Sequence, residues 1–174
     1  MNLPSPSEGR IKMEENLVTL KIDDKEVKVK QGTTILQAAK QAGIDIPTLC
    51  FLKDINEVGD CRMCIVEVDG RKGFATSCIQ KAEEGMVVHT HSPAVMEARR
   101  VILDLILSNH HRDCLTCSRN GNCELQALAM KFNVQHVEFE GEMTEHKVDD
   151  KSPAIMRDFN KCILCRRCVA ACKN

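Results

Sequence analysis

The 174-residue sequence predicts an α+β chain, in which a small mixed sheet crossed by one helix is followed by small, mostly helical segments built around cysteines. Three observations predict it. Apolar and charged residues alternate with period two in NLVTLKI and KEVKVK, and apolar residues recur at helical spacing in TILQAAKQAG and AVMEARRVILDLILSNH. Eleven cysteines then fall into three groups along the chain. Leu, Ile, Val and Phe make up about a quarter of the residues, above the roughly 20% below which chains tend to stay disordered, so a core is expected.

Residues 1–15, with Pro4, Pro6, Ser5, Ser7 and Gly9, read as a flexible leader. The turn-like Asp23-Asp24 separates two strands of a hairpin. In the following helix Ile35, Ala38, Ala39 and Ala42 share one face, and Gly43 supplies a stop. IDIPTLC leads into a loop with Cys50, Cys61 and Cys64. CIVEVDG and RKGFATSCI flank an Asp69-Gly70 hairpin turn, and residues 85–91 read as a last strand. These elements predict a first domain over 16–91. Ser92-Pro93 has the form of a helix cap with proline in the first turn, and a helix of about four turns follows. With ELQALAMKF as a second short helix, residues 92–137 form a second unit. Residues 138–158 read as an exposed, largely acidic linker, and 159–174 as the start of a third unit.

Composition excludes several functions. With 24 basic against 25 acidic side chains the net charge is −1, no basic stripe is present, and five Phe without Tyr or Trp offer few stacking platforms. Nucleic acid is not an expected partner. No apolar run approaches the roughly 18 to 20 residues of a membrane span, and MNLPSPSEGR lacks the apolar core of a secretory signal. A cytoplasmic chain is expected, where thiols serve metals more often than disulfides.

Cys50, Cys61, Cys64 and Cys78 have the spacing C-x10-C-x2-C-x13-C. Four thiolates suit a 2Fe-2S cluster, two to each iron; a zinc knot or four buried thiols are the alternatives. Gly59 and the backbone of VGDCRMC can approach closely and donate N–H groups to sulfur. His110, Cys114, Cys117 and Cys123 make H-x3-C-x2-C-x5-C, a set that suits either an iron-sulfur cluster or zinc, with His111 a second possible imidazole. Cys162, Cys165, Cys168 and Cys172 spell C-x2-C-x2-C-x3-C, the bacterial ferredoxin run, in which the fourth cysteine serves the other of two 4Fe-4S clusters. Lys173 stands where the short bacterial signature has Pro. The second run is missing, so the chain is expected to be the front portion of a longer polypeptide, or to continue past Asn174.

DIPTLC, GDCRMCIVEV and TSC, then LSNHHRDCLTCSRNGNCELQ, then KCILCRRCVAAC stand in the order of a known family. Over residues 16–174 the chain resembles the N-terminal electron-transfer region shared by the large iron-sulfur subunit of respiratory complex I, multi-cluster FeFe hydrogenases and NAD-dependent formate dehydrogenase subunits. The resemblance implies a β-grasp 2Fe-2S ferredoxin-like domain, a histidine-ligated 4Fe-4S domain, and a ferredoxin-like domain only begun. The family's histidine precedes its first cysteine by four positions, which selects His110 and leaves His111 where the family often has Pro. The wording of the last run is most similar to that of NAD(P)-linked, often electron-bifurcating FeFe hydrogenases.

The expected function is therefore one-electron relay in a multi-subunit NAD(P)H-linked oxidoreductase. The cofactors are a 2Fe-2S cluster and one complete 4Fe-4S site, with Cys162, Cys165, Cys168 and Cys172 encoding only part of one or two more. No catalytic residue and no FMN or NAD site is expected, so the catalytic centre, flavin and nicotinamide would lie outside this chain, on partner subunits or further sequence, with ferredoxin a possible partner. A zinc-binding interaction protein and a complete enzyme seen in part are the rival readings. His89 and His91 read as solvent-facing, Met86, Met96, Met130 and Met156 as core filler, and the pairs Arg99-Arg100 and Arg166-Arg167 as solvated basic surface.

Overall fold

The computed structural model describes residues 16–139 and 143–173; the expected leader at 1–15 lies outside them. Strands β1 (Leu17–Ile22) and β2 (Lys25–Lys30) pair antiparallel over their whole length, from Leu17 opposite Lys30 to Ile22 opposite Lys25. Asp23 closes the turn in the left-handed region at φ 50°, a conformation aspartate tolerates better than most side chains. Its carboxylate also accepts the Thr90 N–H at 2.8 Å and the Thr90 hydroxyl at 2.7 Å.

Helix α1 (Ile35–Gln41) begins with a reciprocal cap between Thr34 and Gln37, and it buries Ile35, Leu36, Ala38 and Ala39. The two alanines let its backbone lie close to the sheet. Strands β3 (Ile65–Val68), β4 (Phe74–Thr76) and β5 (Val87–His89) complete a sheet of order β2-β1-β5-β3-β4, in which only the β1–β5 pairing is parallel. This mixed sheet crossed by one helix is the β-grasp arrangement. The last strand is shorter than the expected 85–91: Gly85 turns at φ 72°, and Asp23 draws Thr90 into a side-chain contact at the other end.

Helix α2 (Pro93–Ser108) starts where the Ser92 hydroxyl accepts the Val95 N–H at 3.3 Å. The small elements beyond it are a 3-10 turn at Cys114–Thr116, helix α3 (Glu124–Lys131), a second 3-10 turn at Phe159–Lys161, and helix α4 (Arg167–Ala171).

Two apolar cores hold these parts. The first lies between sheet and α1, around Leu20, Ile22, Val29, Ile35, Val66 and Val88, and it includes Cys64 and Cys78. The second gathers Leu49, Met63, Leu103, Leu125 and Phe132, with Cys61, Cys123 and Ile163 packed against it. One core therefore touches all three cysteine groups.

Several surface expectations are corrected. Arg99 is 0% exposed, because it shares the inward stripe of α2 with Val95 and Leu103, whereas Arg100 stays outside beside Glu97. Arg166 and Arg167 are not free surface charges: they pair with Asp60 at 3.3 Å and Glu124 at 2.8 Å. Met86 is buried and Met96 is packed against the second core, but Met130 on the outer face of α3 and Met156 in the exposed connection are 77% and 72% exposed. His89 is half-buried and lies 2.9 Å from Asp69, while His91 is exposed.

Leu103→Ala truncates the fully buried α2 side chain of the second core and is expected to cost about 2 to 5 kcal/mol in urea unfolding. A loss under about 1 kcal/mol would mean that this core does not bind the parts together.

Candidate metal-cluster sites

The chain between Cys50 and Cys61 makes a tight loop in which Leu52 and Asn56 exchange backbone hydrogen bonds at 3.0 and 2.7 Å. This loop brings Cys61 back beside Cys50. The Cys50 N–H donates to Cys61 Sγ at 3.4 Å, and the Cys61 N–H to Cys50 Sγ at 3.5 Å. Gly59 allows the return at φ 71°; a Cβ there would stand 3.0 Å from Thr76 Cγ2 and 3.2 Å from Ile79 Cδ1. Cys64, just before β3, and Cys78, just after β4, are brought together by the hairpin. Ser77 fixes that approach by donating its hydroxyl to the Cys64 carbonyl at 2.7 Å.

The four sulfurs fall into two pairs. Cys61 is held down to about 5 chiefly by the hydrogen bond it accepts from the Cys50 thiol, whose own ionisation is pushed up. Cys64 is likewise held down to about 7 by the Cys78 thiol, and Cys78 is pushed up. Each pair therefore keeps one proton between two sulfurs, and charge on the Cys50–Cys61 pair disfavours ionisation of Cys78. A tetrahedral zinc ion needs its donors around one point, whereas two thiol pairs suit two irons bridged by sulfide. Among the described residues no three His, Cys, Asp or Glu side chains converge on a single ion-sized point.

The second group forms at the end of α2. A cavity of about 480 Å³ is lined by His110, Cys114 and Cys123 together with Leu107, Leu125 and Gln126. Cys114 opens its 3-10 turn and Cys123 caps α3, so both are fixed by local structure. Cys117 is outside that lining, and its sulfur accepts the Arg119 N–H at 3.5 Å. His110 Nδ1 is buried without a hydrogen-bond partner, and burial lowers the ring's pKa, so the neutral imidazole that a metal requires is favoured. His111 Nε2 is also buried and unpartnered, but this residue is not part of the cavity lining. Its backbone instead joins the third segment, with the N–H donating to the Asn160 carbonyl at 3.4 Å.

In the third group Cys165 is half-buried and Cys162, Cys168 and Cys172 are exposed. Leu164 and Arg166 adopt left-handed φ values of 56° and 62°, which wind the run tightly before α4. The Leu164 N–H donates to Cys162 Sγ at 3.4 Å. Cys162 and Cys61 line one groove of about 390 Å³ along α2.

Residues with no role at the cysteine sites expected from sequence join the groups. Asn56, 2% exposed, donates its amide to the Cys50 carbonyl at 2.8 Å and to the Cys165 carbonyl at 3.0 Å. Arg167 reaches the Phe51 carbonyl at 3.2 Å, and Lys161 pairs with Asp113. No local pattern marks Asn56, since its partners are set by tertiary packing. The inward position of Arg99 does have a sequence signal, its i, i+4, i+8 stripe with Val95 and Leu103.

Residues 15–93 match the 2Fe-2S iron-sulfur cluster binding domain, and residues 99–138 match the NADH-ubiquinone oxidoreductase-G iron-sulfur binding region. Two successive segments of the chain thus match iron-sulfur cluster binding families. It is 45% identical over 162 residues to the NADP-reducing hydrogenase subunit HndD of Solidesulfovibrio fructosivorans, covering 90% of this chain and 28% of the relative. It is 37% identical over 154 residues to the mitochondrial 78 kDa subunit of NADH-ubiquinone oxidoreductase from Neurospora crassa, covering 87% of this chain and 21% of that one. The chain thus spans under a third of the curated relatives it matches. A crystal structure of an NAD+-reducing [NiFe]-hydrogenase in the H2-reduced state superposes with a TM-score of 0.83 at 33% identity, over 88% of this chain and 65% of that one. The chain carries a 2Fe-2S domain followed by a 4Fe-4S region, and its relatives are subunits of NAD(P)H-linked oxidoreductases.

Asn56→Leu leaves the buried Cys50 carbonyl and the half-buried Cys165 carbonyl without their donor and is expected to cost about 1 to 3 kcal/mol. Hydrogen exchange should show residues 162–172 opening more readily; unchanged protection there would mean that Asn56 does not hold the third run.

Proposed function

We propose that the chain is a one-electron relay in which Cys50, Cys61, Cys64 and Cys78 hold the 2Fe-2S cluster and His110, Cys114, Cys117 and Cys123 hold a 4Fe-4S cluster. Cys162, Cys165 and Cys168 supply a third site, and Cys172 a further one that other sequence completes. The observation that carries this reading is the division of the first four thiols into two adjacent pairs, with the third run hydrogen-bonded to the same loop through Asn56. The orphaned His110 nitrogen beside Cys114 and Cys123 supports the imidazole assignment. The clusters supply the redox chemistry; the chain spaces them, excludes water and donates N–H groups to sulfur.

The parent assembly in this reading is an NAD(P)H-linked oxidoreductase, with flavin and nicotinamide on a partner subunit, ferredoxin as a possible electron partner, and the catalytic centre outside residues 1–174. Likeness to an NADP-reducing hydrogenase subunit favours a hydrogenase among the candidates, and the bifurcating FeFe type is the specific form proposed. Eleven free cysteines suit a reducing compartment, so cytoplasm is the proposed location. No helix among the described residues is long and apolar enough to cross a membrane.

Anaerobically purified protein is expected to hold about six irons per chain, or about ten where other sequence completes the third site. Dithionite-reduced samples should give distinct 2Fe-2S and 4Fe-4S EPR signals. Stoichiometric zinc without iron, persisting after attempted cluster reconstitution, would overturn the relay. Cys114→Ser is expected to remove one 4Fe-4S signal and spare the 2Fe-2S absorption. His110→Ala should do the same, and damage from His111→Ala alone would reverse the imidazole assignment.

A further inference from the structure

Arg99 is the largest of the fully buried side chains, and its cationic head lies inside the protein without an ion-pair partner among the described residues. One guanidinium nitrogen donates to the Thr90 carbonyl at 3.0 Å and another to the Ile65 carbonyl at 2.7 Å, while Nε has no partner. The Phe132 ring centroid lies 5.9 Å from the guanidinium carbon. Ile65 directly follows Cys64, so α2 delivers a positive charge to the back of the loop that carries the first cysteine group. Burial pulls the guanidinium pKa down to about 10, against which Cys64 first, then Asp45 and Asp23, favour its charged form. It is therefore still a cation at neutral pH.

Two carbonyls could be served by a neutral amide. Burying a full charge in an apolar interior is expensive unless an opposite charge repays it, and no carboxylate touches this one. Asp45 and Asp23 act on it only from a distance, and the nearest group that would carry negative charge once metal is bound is the cysteine loop.

We propose that Arg99 is a fixed, buried counter-charge that raises the reduction potential of the 2Fe-2S site. This rests on the ligand reading above. Two ferric ions, two sulfides and four thiolates leave the oxidised site with a net charge of about −2, and uptake of one electron from an external reductant takes it to about −3. No proton moves and no bond to Arg99 forms or breaks. At an effective dielectric near 20, a cation about 10 Å from an added electron would favour the more negative state by about tenfold. The direction opposes that of the thiolates themselves, whose charge resists a further electron. Because the guanidinium is sealed from solvent, added salt screens its effect weakly.

The test is an EPR-monitored redox titration of the cluster-loaded full chain, comparing the unaltered protein with Arg99→Gln and Arg99→Met. The expected result is a shift of both neutral variants to more negative potential, by about tenfold in the reduction equilibrium, equivalent to about 59 mV for one electron. The g values and absorbance should stay as in the unaltered protein, and the shift should persist in high salt. A folded variant with the unaltered potential overturns the proposal, as does a shift accompanied by altered g values, which would mark a change of structure. Should neither neutral variant fold, Arg99→Lys decides. A buried lysine loses its charge more readily than arginine, so its potential is expected to fall between pH 6 and 9, a range in which the arginine stays charged and its potential varies less. A lysine profile matching that of arginine overturns the proposal. Absence of any 2Fe-2S signal from the unaltered protein would instead remove the ligand reading beneath it.

Discussion

Crowding sulfur donors into a protein interior is the constraint on which the rest of the structure depends. Four thiols in the first group cannot all ionise beside one another, and within each adjacent pair one thiol is held down while its partner is pushed up. Holding such a group in place requires backbone that is otherwise satisfied. The Leu52–Asn56 loop, the left-handed Gly59 and the Ser77–Cys64 hydrogen bond meet that requirement. Cores on both sides then anchor the loop, with Cys64 and Cys78 in one and Cys61 against the other.

Helix α2 is the member that connects this site to the remainder. Its Ser92 cap sets where it leaves the sheet, Arg99 and Leu103 face inward along its length, and its end delivers His110 to the second cavity. The cationic side chains near the cysteine loops follow one logic. Arg166 and Arg167 pair with Asp60 and Glu124 and so tie the third run to the first and second groups. Surface pairs of this kind are worth little singly, about 0 to 1 kcal/mol. Arg167 is only partly exposed and also bonds the Phe51 carbonyl, which makes it more than a rim charge.

Regular elements are legible in the sequence because their periods are local. NLVTLKI and KEVKVK form the expected antiparallel pair, and the Thr34 and Ser92 caps open the expected helices. The cysteine groups are legible as spaced clusters, and the adjacency of Cys50 with Cys61 and of Cys64 with Cys78 follows from loop and hairpin closure. The sequence misleads where neighbours along the chain part in space. Arg99 and Arg100 read as one basic pair, yet a helix turns about 100° per residue, so one faces the core and the other solvent. Met130 reads as core by its type, although α3 is too short to bury more than one face. Asn56 carries no local signal, because the carbonyl it bonds beyond its own loop lies 109 positions away.

The second core makes the three groups mechanically one object. Leu49 and Met63 flank the first group, Leu103 comes from the helix that ends at His110, and Leu125 follows Cys123, while Ile163 lies inside the third run. Displacing any one group therefore strains packing at the other two. The relatives that the chain matches include a subunit of an NADP-reducing hydrogenase and one of a mitochondrial NADH-ubiquinone oxidoreductase. Ligand identity fixes which clusters bind, but identical ligands allow a wide span of potentials according to charge, hydrogen bonding and burial. Residues that do not touch metal can therefore set the properties of such a site. In this chain the buried Asn56 amide ties the third run to the first loop, and the buried Arg99 guanidinium bonds the carbonyl of Ile65, next to Cys64.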